Sequence, residues 1–208
     1  RGRPGTGLRL MRDDAMSNPE KLLFGVVGHP LQQSLSPVIH NWGFEEHGLP
    51  CTYLAWDIDP KHLPYFTVAL RTLPISGASV TIPHKLSIMP YTDRLTRTAL
   101  SIGSVNTLYW LDGELWGENT DLAGFLSPLE AGREPVGSAL ILGAGGASLA
   151  CIQGLRRMGV GDIAVCARDD DKAGALAGEQ GIRAVPWSER GKCSADLLIN
   201  ATPLGMKG

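Results

Sequence analysis

Gly143, Ala144, Gly145, Gly146, Ala147 and Ser148 stand between an apolar run of strand character at 139–142 and a helical pattern that follows. Glycine lets the backbone turn sharply and approach another group closely. A helix that begins at such a turn points its unpaired N–H groups and positive dipole end into the loop, which suits a phosphate. The surroundings strengthen the reading: strand, glycine turn, helix, then a second strand about twenty residues on is the unit that holds a dinucleotide pyrophosphate. The third glycine of the usual pattern is absent, and Ser148 sits near its place. A plain tight strand–helix turn is the alternative. Glycine makes up 26 of the 208 residues, against about 7% in an average chain, with no collagen-like period, so the excess belongs in turns and close-approach loops.

The alternation of strand and helix runs along the whole chain. Residues 22–28 read as a buried strand. Ser36-Pro37 opens a helix with serine as its cap, and Gly48 stops it. Residues 51–58 read as a strand, and Asp59-Pro60 opens a helix over 60–72. A strand over 76–83 is closed by Pro83, and helices follow near 86–90 and about 93–102. Residues 106–119 form a hairpin around Asp112-Gly113. Residues 120–131 are helical, with Thr120 as the cap. The chain breaks at 132–135. Beyond the glycine loop and its helix come a strand at 162–169, a helix at 171–180, and strands at 183–187 and 195–202.

This β-α-β-α-β-β order implies parallel pairing and right-handed crossovers. The expectation is an α/β chain in two domains. A mostly parallel α/β domain occupies 21–125, and a Rossmann-type dinucleotide domain occupies 126–208. Residues 1–20 are expected to be a disordered extension. A doubly wound half carries more strands than these, so the chain is expected to be C-terminally incomplete.

Charge and composition narrow the partners. The formal net charge is -2 and the pI about 6.2, which argues against a polybasic nucleic-acid or membrane surface. Residues 136–155 are uncharged and long enough to span a bilayer, yet five glycines interrupt them, so they read as strand, loop and helix. Residues 1–15 are charged and lack the apolar stretch of a signal peptide. Cys51, Cys151, Cys166 and Cys193 form no paired motif and read as buried, reduced thiols. The five histidines show no ligand spacing, so no metal is assigned. The expectation is a cytoplasmic protein acting on small molecules, without nucleic-acid or membrane partners, as a monomer or homodimer.

The second strand of the dinucleotide unit is followed by Arg168, Asp169, Asp170, Asp171 and Lys172. An acidic residue here bonds a ribose 2′-hydroxyl, and an arginine accepts a 2′-phosphate. Both kinds are present, so NADP(H) and NAD(H) both stay open. In the N-terminal half, polar residues gather where strands end: Ser34 and Ser36; Thr81 with His84 and Lys85; Asn106; and Asn119, Thr120 and Asp121. Ligands of open parallel sheets bind outside the strand carboxyl ends. Hydroxyls, amides, one lysine and one aspartate suit a small polyhydroxylated molecule. The alternative is that Ser36 and Asn106 only cap local structure and Lys85 is a solvated charge.

Taken together, these segments resemble the shikimate dehydrogenase family. The matching pieces are Gly28-His29-Pro30 with Ser34-Leu35-Ser36-Pro37, Val80-Thr81-Ile82-Pro83-His84-Lys85, Gly103-Ser104-Val105-Asn106-Thr107, Gly117-Glu118-Asn119-Thr120-Asp121, the loop at 143–148, and Asn200-Ala201-Thr202-Pro203-Leu204-Gly205-Met206. They run in family order from about residue 22 to the end. The resemblance implies a substrate domain followed by a Rossmann NADP domain, and NADPH-dependent reduction of 3-dehydroshikimate to shikimate in aromatic amino-acid biosynthesis. It implies that Ser34 and Ser36 bind the substrate carboxylate and that Thr81, Asn106 and Asp121 contact ring hydroxyls. Lys85 and Asp121 would be the catalytic pair. Thr202 and Lys172 join Arg168 and the glycine loop as cofactor residues.

Three positions depart from the family pattern: Ser79 stands for an asparagine, Ser104 for an alanine, and Asp169 for a phosphate-friendly threonine. The family's late tyrosine, a substrate-contacting glutamine and the closing helices fall beyond residue 208. Lacking them, the Rossmann sheet is expected to show an unpaired edge and exposed apolar surface. Two other readings stand beside this one: an NAD-preferring quinate/shikimate dehydrogenase, and an inactive truncated binding protein.

Overall fold

The structure is a computed structural model that describes residues 21–132 and 135–205. The expected extension at 1–20 and Met206 lie outside the described residues. The apolar run of β1 (Leu22–Gly28) is flanked on both sides by parallel partners, β2 (Cys51–Asp57) and β3 (Ile75–Val80). Successive residues of a strand face opposite ways, so Val26 and Val27 enter different cores. Val27 joins Leu63, Phe66 and Leu70 of α2 (Leu63–Thr72), with Val80, Leu108 and Leu115. Val26 joins Leu31 and Tyr53, against Phe44 of α1 (Ser36–Glu46).

The sheet continues through β4 (Arg94–Leu95), β5 (Thr107–Leu111) and β6 (Glu114–Glu118) in the order β2-β1-β3-β5-β6-β4. Pairs β3/β5 and β5/β6 are antiparallel and the rest parallel. The hairpin turns at Asp112 and Gly113, both with positive φ (52° and 80°), the two-residue turn whose twist matches its strands. Two short helices, α3 (His84–Ser87) and α4 (Arg97–Ile102), close this half.

The second sheet has the order β10-β7-β8-β9, all parallel. Its strands are β7 (Ser138–Leu142), β8 (Asp162–Cys166), β9 (Arg183–Ala184) and β10 (Leu197–Asn200). Helices α6 (Gly146–Arg157) and α7 (Asp170–Gln180) cover one face: Ile152, Leu155, Leu176 and Ala177 pack with Ile141, Ile163 and Val165. The segment between β9 and β10 covers the other face, where Trp187, Cys193 and Ala195 pack over Leu140, Ala164 and Cys166. The chain therefore changes direction at β7, the switch point where such sheets open a crevice for ligand. Between the sheets runs α5 (Asp121–Gly132), whose Leu122 and Leu126 pack with Ile102 and with Ala150 of α6.

Several local expectations change. Ser36 is already helical. Leu35 takes the cap position without a side-chain bond, and the Ser34 hydroxyl accepts from the Ser36 amide at 3.4 Å. The helix expected at 93–102 begins only at Arg97, capped by Thr96. The residues before it form β4, because pairing with β6 brings Leu95 against the first core. The 60–72 helix opens as a 3-10 turn at Pro60–His62, and the 86–90 helix divides into α3 and a 3-10 turn at Met89–Tyr91. The Thr120 hydroxyl bonds Asn106 rather than capping α5. The strands expected at 76–83, 162–169, 183–187 and 195–202 are shorter, since the chain turns away into loops once ladder partners run out. All four cysteines are free thiols, but only Cys151 and Cys166 are buried. Cys51 opens an edge strand and Cys193 lies in a loop, so both are half-buried. Among the described residues β10 is an unpaired edge, with Leu198 exposed, and α1 exposes Val38, Ile39 and Trp42. No helix among them is long and apolar enough to cross a membrane.

Candidate active site

Lys85 is set on α3, directly after β3, and Asp121 opens α5. Their side chains meet: Lys85 Nζ lies 2.6 Å from Asp121 Oδ2, with the two side chains 14% and 30% exposed. The second carboxylate oxygen accepts from Asn106 Nδ2 at 2.7 Å. Asn106 is itself held, since its Oδ1 accepts from the Thr120 amide at 2.9 Å and from the Thr107 hydroxyl at 2.8 Å. The backbone stitches the same pieces together, with Val105 N donating to Lys85 O and Val80 N to Asn106 O. At the first turn of α5 the carboxylate of Asp121 is also favoured by the helix dipole. An ammonium held beside a fixed carboxylate, both only partly wet, is the arrangement that can stabilise charge on an oxygen and exchange a proton with it.

Behind the pair stands Asn119, 2% exposed. It donates to Ser104 O at 2.9 Å and accepts from the Asp121 amide at 3.0 Å, while its own amide donates to Glu118 Oε1 at 2.7 Å. Thr96 donates to the same Glu118 oxygen. Asn119 stood among the polar residues that the sequence gathers at strand ends, but no sequence feature pointed to this supporting role or to the link with Thr96. Cys151 of α6 is buried in the second core. Burial, then the charge of Asp121, pushes its thiol up to about 11, so it adds no charge at neutral pH.

Ser34, on the loop after β1, and Ser36, the first residue of α1, are both half-buried, and Thr81 follows β3, the neighbour of β1 in the sheet. None of the three bonds the Lys85–Asp121–Asn106 cluster; they line the same strand ends. Asp57 anchors the serine loop, a second feature missed in the sequence. Its carboxylate meets His29 Nδ1 at 2.6 Å and the Leu31 amide at 3.1 Å, and these two bonds hold its carboxyl below the usual range.

The glycine loop leaves β7 with Gly143 at φ +114°, where a Cβ would stand 2.7 Å from Ala201 O. Ser148 is buried and donates to Gly143 O at 2.7 Å, so it shapes the loop from inside and does not face a ligand. Gly145 caps α6 without any side-chain bond, which leaves first-turn N–H groups free for an anion. Gly146 does different work: a Cβ there would meet Ser104 Oγ at 2.8 Å and Lys85 Cβ at 3.2 Å. The glycine turn thus rests directly on Lys85. Ser104 Oγ is buried with no hydrogen-bond partner among the described residues.

Arg168 is exposed and has no partner among the described residues. Asp169, which the sequence left facing a phosphate, is turned onto its own helix. It caps α7 through the Lys172 amide at 3.1 Å and pairs with Lys172 Nζ at 3.2 Å. Lys172 is therefore shared with Asp169. Thr202, after β10, bonds Asn200 Oδ1 and brings its methyl to the Gly143 turn. The free helix start, the glycine cradle and an unpaired guanidinium fit a phosphorylated dinucleotide.

Comparison with known proteins agrees with this layout. Residues 26–108 match the shikimate dehydrogenase substrate binding domain. The chain is 50% identical over 190 residues to the shikimate dehydrogenase (NADP(+)) of Maridesulfovibrio salexigens, covering 91% of this chain and 70% of that protein. It is 46% identical to that of Pelobacter propionicus, covering 89% and 68%. A solved shikimate dehydrogenase in complex with NADP+ superposes with a TM-score of 0.79 at 36% identity, over 92% of this chain and 70% of that one. The Thermus thermophilus enzyme in complex with NADP(H) and shikimate gives 0.74 at 41%, over 88% and 69%. At these identities, and over this much of each relative's length, the chain belongs to the shikimate dehydrogenase family.

Proposed function

We propose that the chain catalyses the reversible NADPH-dependent reduction of 3-dehydroshikimate to shikimate, a step of aromatic amino-acid biosynthesis. The observation that carries it is the Lys85–Asp121 pair, 2.6 Å apart and packed against the glycine turn of the cofactor half. NADPH, when bound, supplies the hydride. Ser34 and Ser36 hold the substrate carboxylate, and Thr81, Asn106 and Asp121 hold ring hydroxyls. Lys85 Nζ stabilises the negative charge that grows on the carbonyl oxygen and delivers a proton to it. Asp121 keeps the ammonium aimed, and Asn106 keeps Asp121 from swinging away. In the direction of oxidation the neutral amine of Lys85 takes the hydroxyl proton. Gly143, Ala144, Gly145, Gly146 and Ala147 cradle the pyrophosphate, with Thr202 across the turn, while Arg168 and Lys172 face the 2′-phosphate.

The NAD-preferring alternative rested on Asp169, and the engagement of that carboxylate with α7 supports NADP(H) instead. The substrate part is 21–125 and the cofactor part 126–208, with α5 running across the junction. The protein works in the cytoplasm as a monomer or homodimer. The test is shikimate-dependent reduction of NADP+, followed by nicotinamide absorbance, with NAD+ and quinate in parallel. Turnover led by NADP+ and shikimate is expected; turnover led by NAD+ and quinate would overturn the reading.

A further inference from the structure

Strands β8 and β9 pair in register, Ala164 with Arg183 and Val165 with Ala184, and Val185 N still donates to Val165 O at 2.9 Å. Carried onward, that register sets the residues after β9 beside 167–168, at the same carboxyl edge of the sheet. A 3-10 turn at Trp187–Glu189 follows, and Trp187 N donates to Asp170 Oδ1 at 2.9 Å. The turn is thereby tied to the first turn of α7, two residues from Arg168. Arg190 folds back over Trp187. Its guanidinium lies 4.3 Å from the ring centroid, and its Nη1 donates to Trp187 O at 2.6 Å.

The charge of Arg190 reaches the end of β8: burial pushes the Cys166 thiol up, and the Arg190 guanidinium pulls it partly back. Neither Arg168 nor Arg190 has a carboxylate partner among the described residues. The acids nearby are engaged elsewhere, Asp169 with Lys172, Asp170 with the Trp187 amide and Glu189 with Lys192. Two guanidiniums without a carboxylate partner, Arg168 just past β8 and Arg190 just past the turn that follows β9, offer an anion donors from both segments. The end of the second strand of a dinucleotide fold is where the adenosine ribose arrives. A guanidinium stacked on an indole is held in one plane, and its planar fork matches a phosphate.

We propose that Arg190, clamped on Trp187, is a further binding residue for the 2′-phosphate of NADP(H), added to Arg168 and Lys172 from the neighbouring strand's side. This rests on the reading of the chain as an NADP(H) enzyme. Discrimination against NAD(H) is then built from two neighbouring strands. The β8–α7 loop by itself would supply only Arg168 and a lysine already shared with Asp169.

The test is calorimetric titration of the full chain with adenosine 2′,5′-bisphosphate, NADP+ and NAD+, in parent, Arg190→Gln, Arg190→Lys, Trp187→Phe and Arg168→Ala forms. Arg190→Gln is expected to weaken the bisphosphate and NADP+ about tenfold, the size of one charge-assisted bond, and to leave NAD+ unchanged. Arg190→Lys should recover part of the loss, and Trp187→Phe, which keeps an aromatic face, most of the affinity. Unchanged affinity for the bisphosphate in Arg190→Gln, or an equal loss for NAD+, would overturn the assignment. If Arg168→Ala also left the preference for NADP+ untouched, the NADP(H) reading would fall with it. A loss in Arg168→Ala alone would overturn the role of Arg190 and spare that reading.

Discussion

The two halves of the molecule build their sites in opposite ways. At the ends of the first sheet the working groups are side chains bonded to one another: Lys85 to Asp121, Asp121 to Asn106, Asn106 to Thr120, with Asn119 behind. At the ends of the second sheet they are backbone N–H groups at a glycine turn and exposed cations whose nearest acids serve as caps. The difference follows from the tasks. Proton transfer needs one ammonium fixed to within a fraction of an ångström, which takes a closed network. A pyrophosphate is held by many weak donors, which a turn supplies from the main chain. The halves touch where Gly146 lies on Lys85 and Ser104, so the open site is braced against the closed one.

The sharpest way to break this contrast is to remove the lysine. Lys85→Ala is expected to lower kcat about 10²–10⁴-fold with little change in KM, as for loss of a proton-transfer group. A loss confined to KM would make Lys85 a binding residue and the network a mere clamp. Next is the joint between the halves. Gly146→Ala forces a methyl into Ser104 and Lys85, and kcat should fall about 10- to 100-fold through misplacement of the ammonium. Adding Ser104→Ala should recover part of it by clearing the 2.8 Å contact while the 3.2 Å contact with Lys85 remains. Equal activity in the single and double variants would show that the joint does not reach Lys85.

A smaller effect is expected behind the pair. Asn119→Ala leaves the Ser104 carbonyl and the Asp121 amide unpaired, costing about 1–3 kcal/mol. It should lower the melting midpoint and reduce kcat more than the KM for NADP+, because the network on the cofactor side does not include it. The smallest change is at Asp57, on the surface. Asp57→Asn should raise the KM for shikimate about two- to fivefold by loosening the serine loop, and leave NADP+ binding alone. The Asp57 carboxyl titrates lower in the folded chain than in the unfolded one. Its stabilising effect is therefore present above the ordinary carboxylate value and is lost as the pH falls through the lower folded value. Melting curves of parent and variant should converge below about pH 4.

Much of the fold could be read from local pattern. Residues 22–28 form a strand with those bounds, and Asp112-Gly113 turns the hairpin, since both depend on the residues' own preferences. Where the reading failed, a partner distant in sequence intervened. Arg94 and Leu95 became a strand because β6 lay alongside, and the Thr120 hydroxyl turned to Asn106 instead of capping α5. Asp169 shows the reverse: the sequence weighed it as a distant actor at the cofactor, and it is bound to the helix it opens. Arg190 carried no sequence signal at all, because its place depends on the pairing of β9 with β8 and on the indole beneath it.

The sequence by itself determined most of the strands and helices, where the glycine turn stands, and which side chains could carry charge or protons, because periodicity, turn dihedrals and residue chemistry are local properties. Only the tertiary structure decided that Lys85 and Asp121, 36 residues apart, lie within hydrogen-bond reach, and that the cofactor turn presses on the first of them. A hydrogen bond is decided by fractions of an ångström. Those fractions are set by strand order, register and helix packing across the whole molecule, which no local pattern encodes.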